Sequence, residues 1–403
     1  MTTSPCQTLW IWVGSQALQC YLCDQHKAGT VVVNLGRVLA ARHALSGLRR
    51  LSASSNTTSL AARARPATPH SLTLHLTNRC CRSSQSFWNE GSWTAENRQQ
   101  AGETYAAAEA VGVAFWDTAE AYDYPQGVES SEKMLGEFAA ASEYLATGEG
   151  KAVTPPVIVT KFAPLPWKLG REAVTKAARA SNEKLGVEAD VYLLHWPFFG
   201  QEDHLDGLAD AYEQGLVKAV GVSNYSADML RAAHKQLAAR GVPLATCQSQ
   251  YSLLWPNPER NGLLRACEDL GVDLMAYSPL CQGLLTGKYS ESNLPSGPRG
   301  QIFAPLAKEL APLSQLLREV GDAHDGASPT QVALNWLLCS SERVVPIPGA
   351  NKPAHATEAA GALGWRMSDE EAEELRRVAA AVRERSVAGN PIGGLLEKAL
   401  VNV

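Results

Sequence analysis

The stretch VGVAFWDTAEAY, Val111–Tyr122, decides the reading of this chain. Val113-Ala114-Phe115-Trp116 is an apolar run of strand length, and it stops abruptly at Asp117, Thr118, Glu120 and Tyr122. Three later apolar runs end the same way: PVIVTK at Lys161, VYLLH at His195, and AVGVSN at Ser223-Asn224. A carboxylate, a phenol, an amine and an imidazole at the ends of different strands make a site able to donate a proton.

Outward from that stretch, residues after 90 alternate between helical periodicity and short apolar runs. Helices are predicted over 97–110, 129–145, 171–185, 204–215, 227–240, 258–270, 304–320, 329–339 and 368–384. Strands are predicted over 113–117, 156–161, 190–195, 218–223, 244–250, 273–278 and 343–348. Gly112, Gly186, Gly241 and Gly271 stand where helices end. Alternating strands and helices imply a parallel sheet with right-handed crossovers. With one more strand before residue 97, eight would close a (β/α)8 TIM barrel, α/β in class, with its reacting groups at the C-terminal strand ends. An open doubly wound sheet is the other arrangement, but the Gly-rich phosphate turn it normally carries is absent from the sequence.

The chain has 403 residues, 45% hydrophobic and 19% charged, with a net charge of −5. That balance provides a sizeable core and no general attraction to nucleic acid or an anionic membrane. No apolar run approaches the roughly 18 residues that span a bilayer. Nine scattered cysteines, an odd number in a long chain, point to free thiols in a reducing compartment. Cys20-x-x-Cys23 and Cys80-Cys81 lack the second ligand pair of a metal site, so no metal is expected.

Residues 1–84 differ from the rest. Met1–Asn89 contains one acidic residue, Asp24, and nine basic ones, and residues 37–71 are rich in Arg, Ser, Ala and Thr. This is the composition of an organellar transit segment, or of a disordered basic tail with no address. A wrongly assigned first exon would look the same. The expected division is therefore an extension over 1–84 and a barrel over 85–403.

DTAEAY, VTKF, LLHWP, GVSNYS, QSQYSLL, AYSPLCQGLLTGKY and PIPGANK occur in that order. Together they resemble the aldo-keto reductases, in particular the plant and algal plastid-type, NADP-linked branch, over about Phe87 to Trp365. The resemblance implies a (β/α)8 barrel that reduces small aldehydes or ketones with NADPH. By position, Tyr122 matches the catalytic tyrosine, with Asp117, Lys161 and His195 beside it. Ser223, Asn224 and Gln248 match residues that bind the nicotinamide carboxamide, and Tyr277 the aromatic that stacks on its ring. Ser278, Pro279, Leu280 and Lys288 match the pyrophosphate loop, with Arg299 added from GPRG. Gly349, Ala350, Asn351, His355 and Glu358 match the segment that holds the adenosine phosphate and adenine.

The chemistry requires such a set. Hydride addition to a carbonyl carbon leaves negative charge on oxygen, which needs hydrogen bonding and a proton. A phenol is a reluctant acid with its ordinary pKa near 10, and a neighbouring ammonium makes its proton easier to give. Lys161 would do this, held charged by Asp117, with His195 a second donor. Singly, each residue has an ordinary reading: Asp117 a helix cap, Lys161 a solvated strand end, His195 a satisfied core histidine, Tyr277 plain core. The ordered set outweighs them. His26, His43, His70, His75, His204, His234 and His324 read as surface or tail.

The chain departs from the family pattern in places. LTLHLTNRCCRSSQ (72–85) replaces the family's usual first strand, although LTLHLT alternates as a strand would. No Gly follows Tyr122. Asn351 stands where a basic residue is usual, with Lys352 beside it; His355 replaces Gln or Arg, and Ala359 replaces Asn. Lys352 and His355 would still suit the 2′-phosphate of NADPH. ESNLPSGPRG (291–300) reads as a lid or phosphate-side loop, and Ser368 with Glu371 as a capping box. Other functions remain for comparison: a catalytically slow NADP(H)-binding regulatory subunit of the same fold, and a metal-dependent barrel hydrolase, which the lack of HxH disfavours. A monomer in the plastid, alternatively the cytoplasm, acting on a small carbonyl substrate completes the expectation.

Overall fold

The computed structural model describes residues 7–13, 16–22, 73–76, 95–123, 130–142, 156–296 and 298–388. The chain divides into two units, Met1–Ser59 and Leu60–Val403. In the first, β1 (Gln7–Val13) pairs antiparallel with β2 (Gln16–Leu22). The Cys20-x-x-Cys23 and Cys80-Cys81 motifs include residues outside those described.

The second unit is a parallel barrel. Its strands are β3 (Thr73–Leu76), β4 (Phe115–Asp117), β5 (Val157–Phe162), β6 (Ala189–Leu194), β7 (Val217–Ser223), β8 (Leu244–Gln250), β9 (Asp273–Tyr277) and β10 (Val344–Ile347). Each pairs with the next in chain order. One residue beyond β10, β11 (Gly349–Ala350) pairs with β3, Gly349 opposite His75 and Ala350 opposite Leu76. Only Pro348 separates the two segments, so the last strand turns from its neighbour β9 to the first strand and closes the sheet. LTLHLT does supply the first strand: Thr73 lies opposite Phe115 and His75 opposite Asp117. The barrel sheet thus takes in residues upstream of 85.

Side-chain alternation sorts the strands into two faces. On β4 and β5, Trp116, Ile158 and Phe162 face the helical layer and join the large core. Phe115, Val159, Val191, Leu193, Ala219, Met275 and Ile347 have the opposite parity and form a second cluster, the barrel interior. Asp117, Lys161 and Tyr277 follow on that same inward parity one step further along their strands, and Ser223 two steps beyond Ala219. The polar site therefore sits on a floor of apolar side chains. Trp116, on the outer face, stacks on Tyr105 of the Ala95–Ala110 helix with centroids 4.2 Å apart.

The helices follow the expected positions with three differences, the first being a helix over Pro353–Ala360 that was not predicted. The 258–270 helix is two, Asn257–Arg260 and Leu263–Leu270, broken at Gly262, whose φ of 79° is left-handed. The 304–320 helix runs over Pro298–Ala323, so the Gly/Pro-rich stretch before it ends in a helix start with proline at its head, where the missing N–H costs nothing. The capping box at Asp369–Ala388 is present: Ser368 N–H donates to Glu371 Oε2 at 2.7 Å and Glu371 N–H to Ser368 Oγ at 3.1 Å. His204 is a correction: it is 1% exposed, not on the surface. Its ring packs edge-on against Phe162 and its Nε2 meets the Lys168 carbonyl at 3.0 Å. His324 is half-buried, bound to Glu371 at 2.9 Å.

Three consecutive barrel helices, Arg171–Leu185, Gln201–Glu213 and Ala227–Ala239, are stapled at one carboxylate. Asp210 accepts from Arg171 Nε at 2.6 Å and from Arg240 Nη2 at 2.7 Å. The two guanidiniums, Arg171 first, hold its carboxyl down at about 2. A depressed carboxyl stabilises the fold above its unfolded pKa near 4, and that stabilisation disappears as pH falls through about 2. Asp210→Asn is expected to lose on the order of 1 kcal/mol at pH 7, the modest value of a solvent-screened network, and to flatten the acid dependence of thermal melting between those two pH values. Gly221 on β7 tests the interior: a Cβ there would lie 2.4 Å from Leu193 Cδ2 and 2.7 Å from the Thr246 carbonyl oxygen. Gly221→Ala is expected to destabilise by about 1–3 kcal/mol in denaturant unfolding, the cost of overpacking.

Candidate active site

At the C-terminal end of β4, Asp117 is 4% exposed, and Lys161 on β5 is fully buried. Lys161 Nζ donates to Asp117 Oδ2 at 2.7 Å, to the Thr118 carbonyl at 2.7 Å, and to Tyr122 Oη at 3.3 Å. Tyr122 sits in a single 3-10 turn, Glu120–Asp123, that follows the strand. The phenol and the amine thus meet, 39 residues apart in sequence. His195, just past β6, is buried, its ring centroid 5.7 Å from that of Tyr122 and edge-on to it.

Gln248 reaches across the barrel from β8. Its Nε2 donates to Asp117 Oδ1 at 2.8 Å, so both carboxylate oxygens carry a donor. Asn224, following Ser223, adopts φ 61°, a left-handed conformation that asparagine tolerates better than most. Its Nδ2 donates to the His195 carbonyl at 3.1 Å, and its Oδ1 accepts from Tyr277 Oη at 3.0 Å. One network therefore links Asp117, Lys161 and Tyr122 with Gln248, and a second links His195, Asn224, Ser223 and Tyr277. The Asn224 N–H to Gln248 carbonyl bond at 2.8 Å ties the two together.

Burial governs the ionisation here. It drives the Tyr122 phenol well above its usual range, reinforced by the charge of Asp117 and then by Tyr277. It pulls Lys161 below the usual lysine value, against the opposing pull of Asp117 and then Glu132. Lys161 Nζ donates to the phenol oxygen, while burial and the charge of Asp117 hold the phenol above its usual range. The phenol is accordingly in its proton-carrying form at neutral pH.

The remaining expected cofactor residues line the same end of the barrel or the segments after it. Ser278 turns the chain out of β9 at φ 51°, followed by buried Pro279 and half-buried Leu280. Lys288 is exposed, its ammonium 5.5 Å from the Tyr289 ring centroid. Arg299 occupies the first turn of the Pro298–Ala323 helix rather than a loop. Gly349 and Ala350 are β11 itself, and Asn351 leads into the Pro353–Ala360 helix that carries His355 and Glu358. Glu358 is otherwise engaged: its Oε1 accepts from Ser328 Oγ at 2.7 Å. Sequence reasoning passed over Glu120, which binds Ala163 N–H and Lys168, and the Thr118 carbonyl, which receives Lys161. Glu120 stood in the quoted stretch, but the sequence does not show which segment its carboxylate meets. Among the described residues, no cluster of three or more His, Cys, Asp or Glu suits a metal ion.

A parallel eight-stranded barrel with Asp, Lys, Tyr and His gathered at its C-terminal mouth defines a carbonyl-reductase type of site. Residues 87–380 match the family model described as aldo/keto reductase family. The chain belongs to that family. It is 39% identical over 274 residues to pyridoxal reductase, chloroplastic, of Arabidopsis thaliana, covering 66% of this chain and 73% of that one. It is 28% identical over 302 residues to the aldo-keto reductase yakc [NADP(+)] of Schizosaccharomyces pombe, covering 70% and 83%. Among solved structures, an aldo-keto reductase from Klebsiella pneumoniae in complex with NADPH matches at 25% identity and a TM-score of 0.55, covering 71% of this chain and 87% of that one. A thermostable aldo-keto reductase with the inhibitor epalrestat matches at 26% identity and a TM-score of 0.56, covering 71% and 90%.

Lys161 has a measurable consequence of its own. Lys161→Met leaves Asp117 buried without its cation, which is expected to cost roughly 3–5 kcal/mol in chemical unfolding. The same variant should show an Asp117 carboxyl that is protonated more readily than in wild type, visible as a new infrared carbonyl band.

Proposed function

We propose that the protein reduces small aldehydes or ketones to alcohols, with NADPH as hydride donor and Tyr122 as the general acid. The observation that carries this reading is the single ammonium of Lys161 bridging Asp117 and Tyr122. Residues of the chain suit the cofactor. Tyr277 is fixed through its hydroxyl by Asn224, which presents a half-buried ring at the barrel mouth. The Pro353–Ala360 helix points its electropositive N-terminus at the barrel's C-terminal end, with exposed Lys352 at its cap and His355 in its first turn. These groups favour an anionic phosphate, and Ser223, Asn224 and Gln248 would face the carboxamide.

NADPH supplies the hydride when bound. The chain's own part is to hold the carbonyl oxygen between Tyr122 Oη and the His195 ring, and to donate the phenolic proton as charge builds on that oxygen. The raised phenol holds its proton until that moment. As the proton departs, the growing phenolate is stabilised by Lys161 Nζ, 3.3 Å away. Asp117, fastened by Gln248, keeps the ammonium in place.

The substrate reading can be narrowed. The Arabidopsis relative is named a pyridoxal reductase, and pyridoxal is an aromatic aldehyde of suitable size, so it is the first compound to assay. The chloroplastic relative and the basic, acid-poor first 84 residues support a plastid location. Tyr122→Phe is expected to lower kcat for aldehyde reduction by at least about 100-fold, with NADPH affinity by fluorescence titration nearly unchanged. Wild-type protein that binds NADPH but fails to oxidise it with pyridoxal and a panel of reactive aldehydes would instead mark a slow, nucleotide-binding regulatory subunit.

A further inference from the structure

Glu120 lies in the turn that carries Tyr122 and is 11% exposed at its side chain. Its Oε1 accepts from the Ala163 N–H at 2.5 Å and from Lys168 Nζ at 2.8 Å, and its Oε2 accepts from Lys168 Nζ at 2.8 Å. Ala163 and Lys168 belong to the loop that leaves β5 after Phe162, the residue next to Lys161. The carboxylate therefore joins the segment bearing the phenol to the segment bearing the amine.

The far end of this link is anchored too. The Lys168 carbonyl meets buried His204 at 3.0 Å, and the Lys168 ammonium stands 5.3 Å from the Phe162 ring centroid. Phe162 is fully buried and touches the His204 ring edge-on. A line of contacts thus runs from the Tyr122 turn through Glu120, Lys168 and His204 to the Gln201–Glu213 helix. The turn itself is one turn of 3-10 helix, with Tyr122 N–H to Ala119 carbonyl at 3.2 Å as its internal bond. Such a turn is weak alone. Its upstream side is fixed by Lys161 to the Thr118 carbonyl, and Glu120 fixes its middle.

We propose that Glu120 and Lys168 are positioning residues for proton transfer: their ion pair sets the distance between Tyr122 Oη and Lys161 Nζ. The inference rests on the reading of Tyr122 as general acid. A small displacement of a reacting group costs rate steeply, of order 100-fold for about 1 Å, so a device that fixes this distance acts on kcat. The groups facing Tyr122 are Asp117, Lys161, His195 and Tyr277; Glu120 acts through the backbone of the turn.

The test uses Glu120→Gln, which keeps an acceptor for Ala163, and Lys168→Met, with Lys168→Arg as the conservative variant. Three quantities are measured in the full chain: kcat and KM for an aldehyde, NADPH affinity by fluorescence, and the Tyr122 titration. The last is followed as the phenolate absorbance that vanishes when Tyr122→Phe is placed in the same background. Glu120→Gln and Lys168→Met are each expected to lower kcat about 10–100-fold, with NADPH affinity within about twofold of wild type. The Tyr122 titration should move from its wild-type position as the contact of Tyr122 Oη with Lys161 Nζ loosens. Lys168→Arg should restore most of kcat, and the double variant should be no worse than either single one, as for residues acting together. Variants that melt earlier but keep kcat and the Tyr122 titration would reduce the pair to a stabilising contact and overturn the proposal. Should wild type bind NADPH without reducing any aldehyde, the proposed activity fails. The titration then decides this proposal by itself, an unmoved phenol refuting it.

Discussion

The ion pair between Asp117 and Lys161 is the constraint to which the rest of the barrel mouth conforms. Two charges removed from water are expensive to bury, and their attraction repays that cost only when the remaining hydrogen-bonding capacity is satisfied. Here it is. Lys161 gives its protons to Asp117, the Thr118 carbonyl and Tyr122, while Asp117 receives Gln248 on its other oxygen. Removing any one partner leaves a desolvated charge short of a bond. The pair thereby dictates that β4, β5 and β8 present these atoms at one height across the barrel, which fixes the register of strands not adjacent to each other.

Much of this was legible in the sequence, and the parts that were not share a cause. Short apolar runs ending in polar residues identify strand ends, because side-chain alternation and burial leave their mark residue by residue. Tyr122, Lys161 and His195 were visible in that way. The bond between Gln248 and Asp117 spans 131 residues and depends on where the barrel closes, so no local pattern reveals it. His204 was misread because it follows three polar residues, QED, at a helix start, where surface is the usual expectation. Its partner is a loop carbonyl of another segment.

Division of labour between the two faces of each strand explains how a reactive site coexists with a stable fold. Outward residues of β4 to β9 join one continuous core with the helices, while inward residues form a separate small cluster beneath the polar mouth. Apart from Asp325, in the turn after the Pro298–Ala323 helix, the described non-glycine residues with positive φ are Asn224, Ser278, Cys281 and Gln282 at the mouth. Such conformations persist only where surrounding contacts enforce them, and each of those at the mouth lies just past a barrel strand on the C-terminal side. The cost of shaping the site falls on loops, and the outer layer supplies the stability that tolerates it.

The final strand, split at Pro348 between β9 and β3, has a consequence for biogenesis. On the ribosome, β3 emerges early, and β4 can cover one of its edges after some forty residues. Its other edge waits for Gly349 and Ala350, more than 270 positions later. Until those residues are synthesised the nascent sheet has an open border, capable of pairing with any neighbouring extended chain. The closing ladder is also the one of greatest loop length, so the ring joins late and slowly. A chain truncated before residue 349 would retain nearly every helix and strand yet lack the join that makes the sheet a cylinder.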